Sequence, residues 1–247
     1  MKFATFLINI DDAHERRQLM DDQLGRLNIP YSKISAVHGD LLEFPIDGFD
    51  ETGFKINTGK CRNNLEVGCY LSHITALEVF LESDSDHALI LEDDALLPDC
   101  LVALLESAVE HSSTWDLLRL SSLREGKFIE LVPLVESYHL VINTRVLKST
   151  AAYLISRHGA QRCLERLQPM SWPYDVALDR DWSIGIRTAC VLPFPVAISE
   201  MPSQIPKSRR IKFLRATTFH FYHFIDHFQR IIYRRKIARQ YQSNMSK

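Results

Sequence analysis

The stretch Ala88-Leu-Ile-Leu-Glu-Asp-Asp94 decides how this chain is built. Ala88 to Leu91 carries no polar side chain, so it reads as a strand buried on both faces. Glu92, Asp93 and Asp94 follow it at once. Three adjacent carboxylates repel one another unless a cation or hydrogen-bond donors stabilise them. Their place is therefore the mouth of a buried strand, and open parallel sheets bind ligands outside the carboxyl ends of their strands. Period-two alternation puts Glu92 and Asp94 on one side. That E-x-D arrangement suits a hard divalent cation, Mn²⁺ or Mg²⁺.

Elements of alternating type flank this strand. Upstream, Phe3 to Ile10 reads as a strand and halts at Asp11-Asp12, with Asp12 and Glu15 forming an acidic capping box. Ala13, Met20, Leu24 and Leu27 then recur at helical spacing, and Tyr31 to Val37 is a second strand. Residues 39–60, broken by Gly39, Pro45, Gly48, Gly53 and Gly59, read as a long surface loop. A helix is expected from Leu65 to Glu82. Downstream, Pro98 opens another helix, Trp115 to Leu120 is a strand, Ala151 to Ile155 a strand and Gly159 to Leu167 a helix. Strands separated by helices predict an α/β fold, a mostly parallel sheet covered on both faces. Tyr138 to Ile198 is otherwise less regular.

With 247 residues, 46% hydrophobic and 24% charged, the chain is neither disordered nor fibrous. The five cysteines (Cys61, Cys69, Cys100, Cys163, Cys190) are odd in number and form no C-x-x-C pair, so neither a disulfide framework nor a zinc finger is indicated. A reducing cytoplasm is the expected setting. Neither a secretory leader nor a spanning helix is expected.

The charge is polarised. Of 29 basic and 31 acidic residues, 11 bases and one acid, Asp226, fall at or after Lys207, leaving 18 bases against 30 acids before it. A body of about −12 thus precedes a tail of about +10. Within residues 208–241 the cations are interleaved with aromatics. Ile211, Leu214, Phe221, Phe224, Ile225, Phe228, Ile231 and Ile232 fall on one helical side. A cationic amphipathic helix of this kind belongs at an anionic membrane surface. Aromatics confined to the apolar side are poorly placed to stack on bases, so nucleic acid is not the expected partner. The competing expectation is that Phe221 to Ile232 dock on the body.

Several pieces together resemble a known family. Leu65-Glu-Val-Gly-Cys-Tyr-Leu-Ser-His73 followed by Ala88-Leu-Ile-Leu-Glu-Asp-Asp-Ala95 looks like the family-25 glycosyltransferases of lipooligosaccharide biosynthesis. Phe6-Leu-Ile-Asn-Ile-Asp11 with Glu15-Arg-Arg17, then Trp115-Asp116, Ala152-Tyr-Leu-Ile-Ser156 with Gly159-Ala160, and Pro173-Tyr-Asp175 follow in the family's order. The likeness covers roughly residues 3–195, departing at Ile10 and Asp12 and over 121–145.

The resemblance implies a GT-A-like fold within residues 1–206, with a nucleotide-sugar half to about 120 and an acceptor half from 121. It implies inverting transfer of a sugar, often galactose from UDP-galactose, to an oligosaccharide acceptor. The family's metal motif lands on Glu92, Asp93 and Asp94, and its nucleotide-contacting loop on Asn9, Asp11 and Arg17. Asp93 could serve as a third ligand or bind the ribose. Arg16 or Arg17 could add positive charge, and Ser72 or His73 could approach the nucleotide sugar. The resemblance favours Asp175 as the base, with Asp179 and Asp181 as alternatives. Trp172 and Trp182 could stack on sugar faces or belong to the core. With the basic tail, these expectations describe a cytoplasmic enzyme peripheral on the inner face of the membrane. Its acceptor would be lipid-linked. The rival readings are a catalytically silent membrane-associated binder and a metal-dependent phosphohydrolase. The phosphohydrolase reading lacks a nucleophilic Asp pattern, and no G-x-G-x-x-G or Walker loop is present either.

Overall fold

The computed structural model describes residues 3–199, 205 and 208–245. Met1-Lys2 and the 206/207 boundary expected between body and tail lie outside the described residues. The chain runs β1 (Ala4–Asn9), α1 (His14–Arg26), β2 (Ser32–Ser35), α2 (Glu51–Thr58), α3 (Asn64–Glu82) and β3 (His87–Glu92). Next come β4 (Ala95–Leu96), α4 (Leu101–Glu110), β5 (Leu117–Arg119), β6 (Phe128–Pro133), β7 (His139–Asn143) and β8 (Ala152–Ser156). After these follow α5 (Arg157–Arg166), α6 (Tyr174–Leu178), α7 (Asp181–Ile184), β9 (Thr188–Leu192), β10 (Ala197–Ile198), α8 (Lys212–Leu214) and α9 (His220–Met245).

Eight strands form one sheet in the order β2-β1-β3-β8-β5-β9-β7-β6, and β4 pairs with β10 beside it. β2, β1 and β3 are mutually parallel, with Ile8 opposite both Ile34 and Glu92. β8 runs antiparallel between β3 and β5, and β9 is parallel to β5. β7 and β6 close the edge in antiparallel pairs. Six strands therefore share one direction and only β7 and β8 oppose it, so the α/β expectation holds while the pairing is mixed. Because β8 sits between β3 and β5, the sheet runs unbroken across residue 120.

Alternation along the central strands feeds two cores. Ala88 and Ile90 face α3, with Tyr70, Ile74, Leu77 and Phe80. Leu89 and Leu91 face α1 and α4, with Met20, Leu24, Leu101 and Leu105. Covering both faces explains the absence of polar side chains from Ala88 to Leu91.

Several local expectations are corrected. The Asp12 capping box does not form: α1 starts after Ala13 with no side-chain cap. Residues 39–60 are not one long loop, since they contain α2. The Asp50 side chain accepts from Gly53 N at its start, and Gly59 ends it in the left-handed region at φ 62°. Phe49 and Phe54 plug this segment into the core. The stretch Tyr138 to Ile198, irregular in sequence, supplies β7 and β9, and β6 forms just before it.

The tail helix docks, but with the opposite face from the one its sequence suggests. α9 packs against α7, β6 and β7. It buries Asp226, Arg230 and Arg234 together with Ile237 and Ala238. Phe221, Phe224, Phe228 and Ile232 remain at least half exposed. The cause lies opposite: Asp179 and Asp181 are buried and must be neutralised. Arg234 bonds Asp181 Oδ2 at 2.8 Å and Asp179 Oδ1 at 3.1 Å, and Arg230 Nε lies 3.0 Å from Asp179 Oδ2. Arg180 pairs with Asp226 across the same contact. Burial works against the Arg234 cation, yet the two carboxylates more than offset it and hold its pKa above the ordinary value. Among the described residues no helix is long and apolar enough to cross a membrane.

Candidate active site

The parallel trio β2-β1-β3 ends in a common pocket. Asn9 and Ile10 reach it from the end of β1, Val37 from beyond β2, and Glu92, Asp93 and Asp94 from β3. Helix α3 closes one side with Cys69 and His73. A carboxyl-end crevice in an α/β sheet is the place where such folds take their ligands.

The three acids differ in their surroundings. Asp93 is fully engaged: Asn9 Nδ2 donates to Oδ2 at 2.8 Å and Arg16 Nη1 to Oδ1 at 2.7 Å. It ties the end of β3 to β1 and α1. Glu92 accepts from His73 Nε2 at 3.1 Å and from the Thr150 hydroxyl, both through Oε1. Burial alone would raise its carboxyl, but the hydrogen bonds from these two donors hold it below the ordinary value. Asp94 has less support: its own backbone N–H and the Arg16 charge offset only part of its burial. Its Oδ1 is buried without a hydrogen-bond partner. Burial first, and then the neighbouring Glu92, push its carboxyl up to about 6.

A buried carboxylate oxygen without a donor, beside a second carboxylate, fits a hard divalent ion. Asp94 and Glu92 are the residues that would hold it. Asp93 has both oxygens occupied and instead fixes the turn that presents Asp94.

Behind Glu92 lies a polar chain of a kind the sequence does not advertise. With Nε2–H given to Glu92, His73 Nδ1 accepts from Tyr153 Oη at 3.2 Å, and the Tyr174 hydroxyl lies 3.1 Å from that of Tyr153. Histidine and both tyrosines are buried. Tyr174 begins α6 immediately before Asp175. α6 packs against α3, but Asp175 is not among the residues that line the pocket.

The other expected residues fall out as follows. Ser72 lines the pocket, but its hydroxyl accepts from Val37 N at 2.8 Å and donates to Gly68 O at 2.7 Å, bracing the wall. Arg16, not Arg17, points to the acidic turn. Arg17 faces Asp21 on the outer side of α1. Asp11 bonds Lys33 and Ser35 outside the pocket, and this lowers its carboxyl. Asp179 and Asp181 are closed off under α9, so neither can meet an acceptor. Trp172 is buried and Trp182 is half-buried, with Arg180 over both rings and Arg230 over Trp182. Sequence reasoning does not single out Cys69, Thr150, Tyr153 or Tyr174. Cys69 stands four residues before His73 on α3, a spacing that marks a shared face. Thr150 gives no local signal.

Known proteins share this sequence pattern. A Haemophilus influenzae protein carrying a provisional glycosyltransferase name is 27% identical over 176 residues, covering 70% of this chain and 60% of that protein. Procollagen galactosyltransferase 1-B of Xenopus laevis is 28% identical over 170 residues, 64% of this chain and 27% of that protein. A rat family-25 member whose name marks it provisionally as inactive is 25% identical over 193 residues, 71% of this chain and 33% of that one. The chain therefore spans 60% or less of the length of these relatives. Likeness to solved structures is remote. A mutant of Drosophila beta-1,4-galactosyltransferase 7 in complex with manganese, UDP-Gal and xylobiose aligns at TM-score 0.40 and 14% identity, over 81% of this chain and 71% of that one. The family model described as Glycosyltransferase family 25 (LPS biosynthesis protein) matches residues 3–178, most of the chain and the whole of the acidic turn, so this protein belongs to glycosyltransferase family 25.

Proposed function

We propose that this protein is a metal-dependent, inverting glycosyltransferase. It takes a hexose from a UDP-linked donor, galactose from UDP-galactose, and passes it to an oligosaccharide of lipooligosaccharide type carried on a lipid. The observation that carries the reading is the donorless buried Oδ1 of Asp94 beside Glu92, at the carboxyl end of three parallel strands. Family membership supports the reaction class, and the Xenopus relative's name supports galactose.

Mn²⁺ or Mg²⁺ held by Glu92 and Asp94 would supply Lewis-acid stabilisation of the departing diphosphate. The chain's own groups do the rest. His73 and Thr150 fix one oxygen of Glu92, leaving the other for the pocket. Asn9 and Arg16 lock Asp93, so the acidic turn is set before ligand arrives. Ile8, Val37 and Leu65 give the pocket an apolar wall that excludes water from the donor. Asp175 removes the acceptor hydroxyl proton as general base.

The membrane side of the proposal rests on α9. Phe221, Phe224, Phe228 and Ile232 stand in water, with exposed Arg235, Lys236 and Arg239 further along the same helix. At an anionic leaflet each such cation contributes about 1 kcal/mol. In this reading the enzyme sits peripherally on the inner face of the cytoplasmic membrane, beside a lipid-linked acceptor.

The test is UDP release from UDP-galactose in the presence of Mn²⁺ and lipooligosaccharide. Release that needs acceptor and stops with EDTA supports the proposal. A rise in melting temperature with UDP-galactose and Mn²⁺ but no UDP release would favour the silent binder, a fate that the rat relative's name shows to be conceivable in this family.

A further inference from the structure

The donor pocket contains a second set of cation ligands that shares only Glu92 with the Glu92–Asp94 pair. Cys69 and His73 lie one helical turn apart on α3, and Glu92 ends β3 opposite them. One ligand atom from each, the thiol sulfur, an imidazole nitrogen and a carboxylate oxygen, all lie within 4.8 Å of one another. All three residues line the pocket that also receives Asp94.

The donor set differs in kind from the Glu92–Asp94 pair. Two carboxylates select a hard ion, whereas a thiolate with an imidazole selects a soft or borderline one. Three protein ligands of Cys, His and carboxylate type with one side open is the pattern of a zinc ion that keeps an exchangeable position. His73 Nε2 and Glu92 Oε1 are already 3.1 Å apart, close to the separation of two ligands on one tetrahedral ion. The other wall of the pocket supplies an independent sign that a cation is wanted there, the unpartnered Oδ1 of Asp94.

We infer that Cys69, His73 and Glu92 form a site for a thiophilic divalent ion such as Zn²⁺, and that its charge, set on the carboxylate the hard ion also needs, repels that ion and so shuts the donor pocket. On binding, the sulfur–metal bond replaces the thiol S–H bond and the proton leaves to solvent, with no change of oxidation state. His73 gives up its hydrogen bond to Glu92, and its ring proton moves to Nδ1, where the Tyr153 hydroxyl turns from donor to acceptor. The closing of the pocket, though not the ion site itself, rests on the Glu92–Asp94 reading above.

The experiment is a Cd²⁺ titration of the metal-free full chain, followed by the near-ultraviolet thiolate-to-metal charge-transfer band. One equivalent should develop the band in the wild type and in Asp94→Asn. Cys69→Ser should abolish it, and Cys61→Ser and Cys100→Ser should leave it intact. In the wild type, one equivalent of Zn²⁺ should also protect Cys69 from alkylation, read by peptide mass spectrometry, while Cys61 and Cys100 stay reactive. This second readout needs no variant to fold. A missing band, a band that survives Cys69→Ser, or an unprotected Cys69 overturns the site. Bound Mn²⁺, followed by its electron paramagnetic resonance, should be released by Zn²⁺ in the wild type and retained in Cys69→Ser. If Mn²⁺ never binds, the transferase proposal fails while the thiolate site stands. If Mn²⁺ binds and Zn²⁺ leaves it in place, the closing of the pocket is overturned.

Discussion

The imidazole of His73 lies face to face with the phenol of Tyr174, centroids 4.2 Å apart and planes within 6° of parallel. His73 thereby joins two sides of the site: its edge bonds Glu92 at the pocket, and its face carries the first residue of α6, next to Asp175. Substitution can separate the two roles. His73→Phe keeps a ring against Tyr174 but loses both hydrogen bonds, so Glu92 keeps only Thr150. Mn²⁺ affinity in His73→Phe should fall about 10–100-fold, as for other residues that orient a metal ligand from behind. Isothermal titration measures it, and circular dichroism checks the fold. Unchanged affinity would mean that the Glu92–His73 bond does not position the carboxylate.

Asp94 gives a prediction whose sign depends on pH and metal. Its folded-state pKa of about 6 lies above the ordinary 3.8, so the native state holds the proton more tightly than the unfolded chain. Stability contributed by this group is therefore lost as pH rises through that window, and the full penalty applies above about pH 6. Without metal, Asp94→Asn should be more stable than the wild type at pH 8, by ~1–2 kcal/mol once water access to the pocket is discounted. At pH 4 the two should converge. Saturating Mn²⁺ should reverse the order at pH 8, because only the wild type gains the ion. Melting curves in EDTA and in Mn²⁺ decide it.

Asp175→Asn should leave Mn²⁺ and UDP affinity unaltered and lower kcat by roughly 10²–10⁴-fold, the usual contribution of a positioned base. Equal losses in donor affinity would make Asp175 part of the donor site instead.

How far the sequence alone leads is clear from particular residues. The α/β class follows from Ala88 to Leu91 because burial on both faces leaves a local mark, an unbroken apolar run. The acidic turn is legible for the same reason. What joins it to the rest is not: Thr150 reaches Glu92 across 58 positions and Tyr153 reaches His73 across 80, and no local pattern marks either pairing. α2 was hidden by glycines that suggest a loop, although Asp50 and Gly59 are a cap pair. The tail shows the limit of amphipathic reading most plainly. Its apolar stripe is real, yet the helix docks by its arginines, since the need to neutralise Asp179 and Asp181 is written elsewhere in the chain.

That ion cluster should behave as a structural element. Removing the Arg234 guanidinium leaves two buried carboxylates under-compensated, and breaking such a pair costs about 3–5 kcal/mol. For a chain of this size Arg234→Met should lower the melting temperature by about 10 °C. Replacing Asp179 and Asp181 together with Asn in the same protein should recover part of that loss, because the stranded charges go with the partner. Additive losses in the triple variant would show that packing, not charge, dominates the contact.

Since α9 is part of the body, deleting the tail cannot test membrane attachment: it would uncover Asp179 and Asp181 and unfold what it meant to release. The exposed stripe offers a cleaner route. Phe221, Phe224 and Phe228 stand at least half in water, so changing all three to Ser removes little native packing. The melting temperature should move by no more than a degree or two. If the stripe enters the headgroup region, the triple variant should lose sedimentation with anionic phosphatidylglycerol vesicles, and the wild type should sediment less as salt rises, because the flanking cations are screened. Binding to neutral vesicles should be weak for both proteins. A wild type that ignores anionic vesicles, or a triple variant that binds them as well as the wild type does, would detach α9 from the membrane and leave its phenylalanines for another partner.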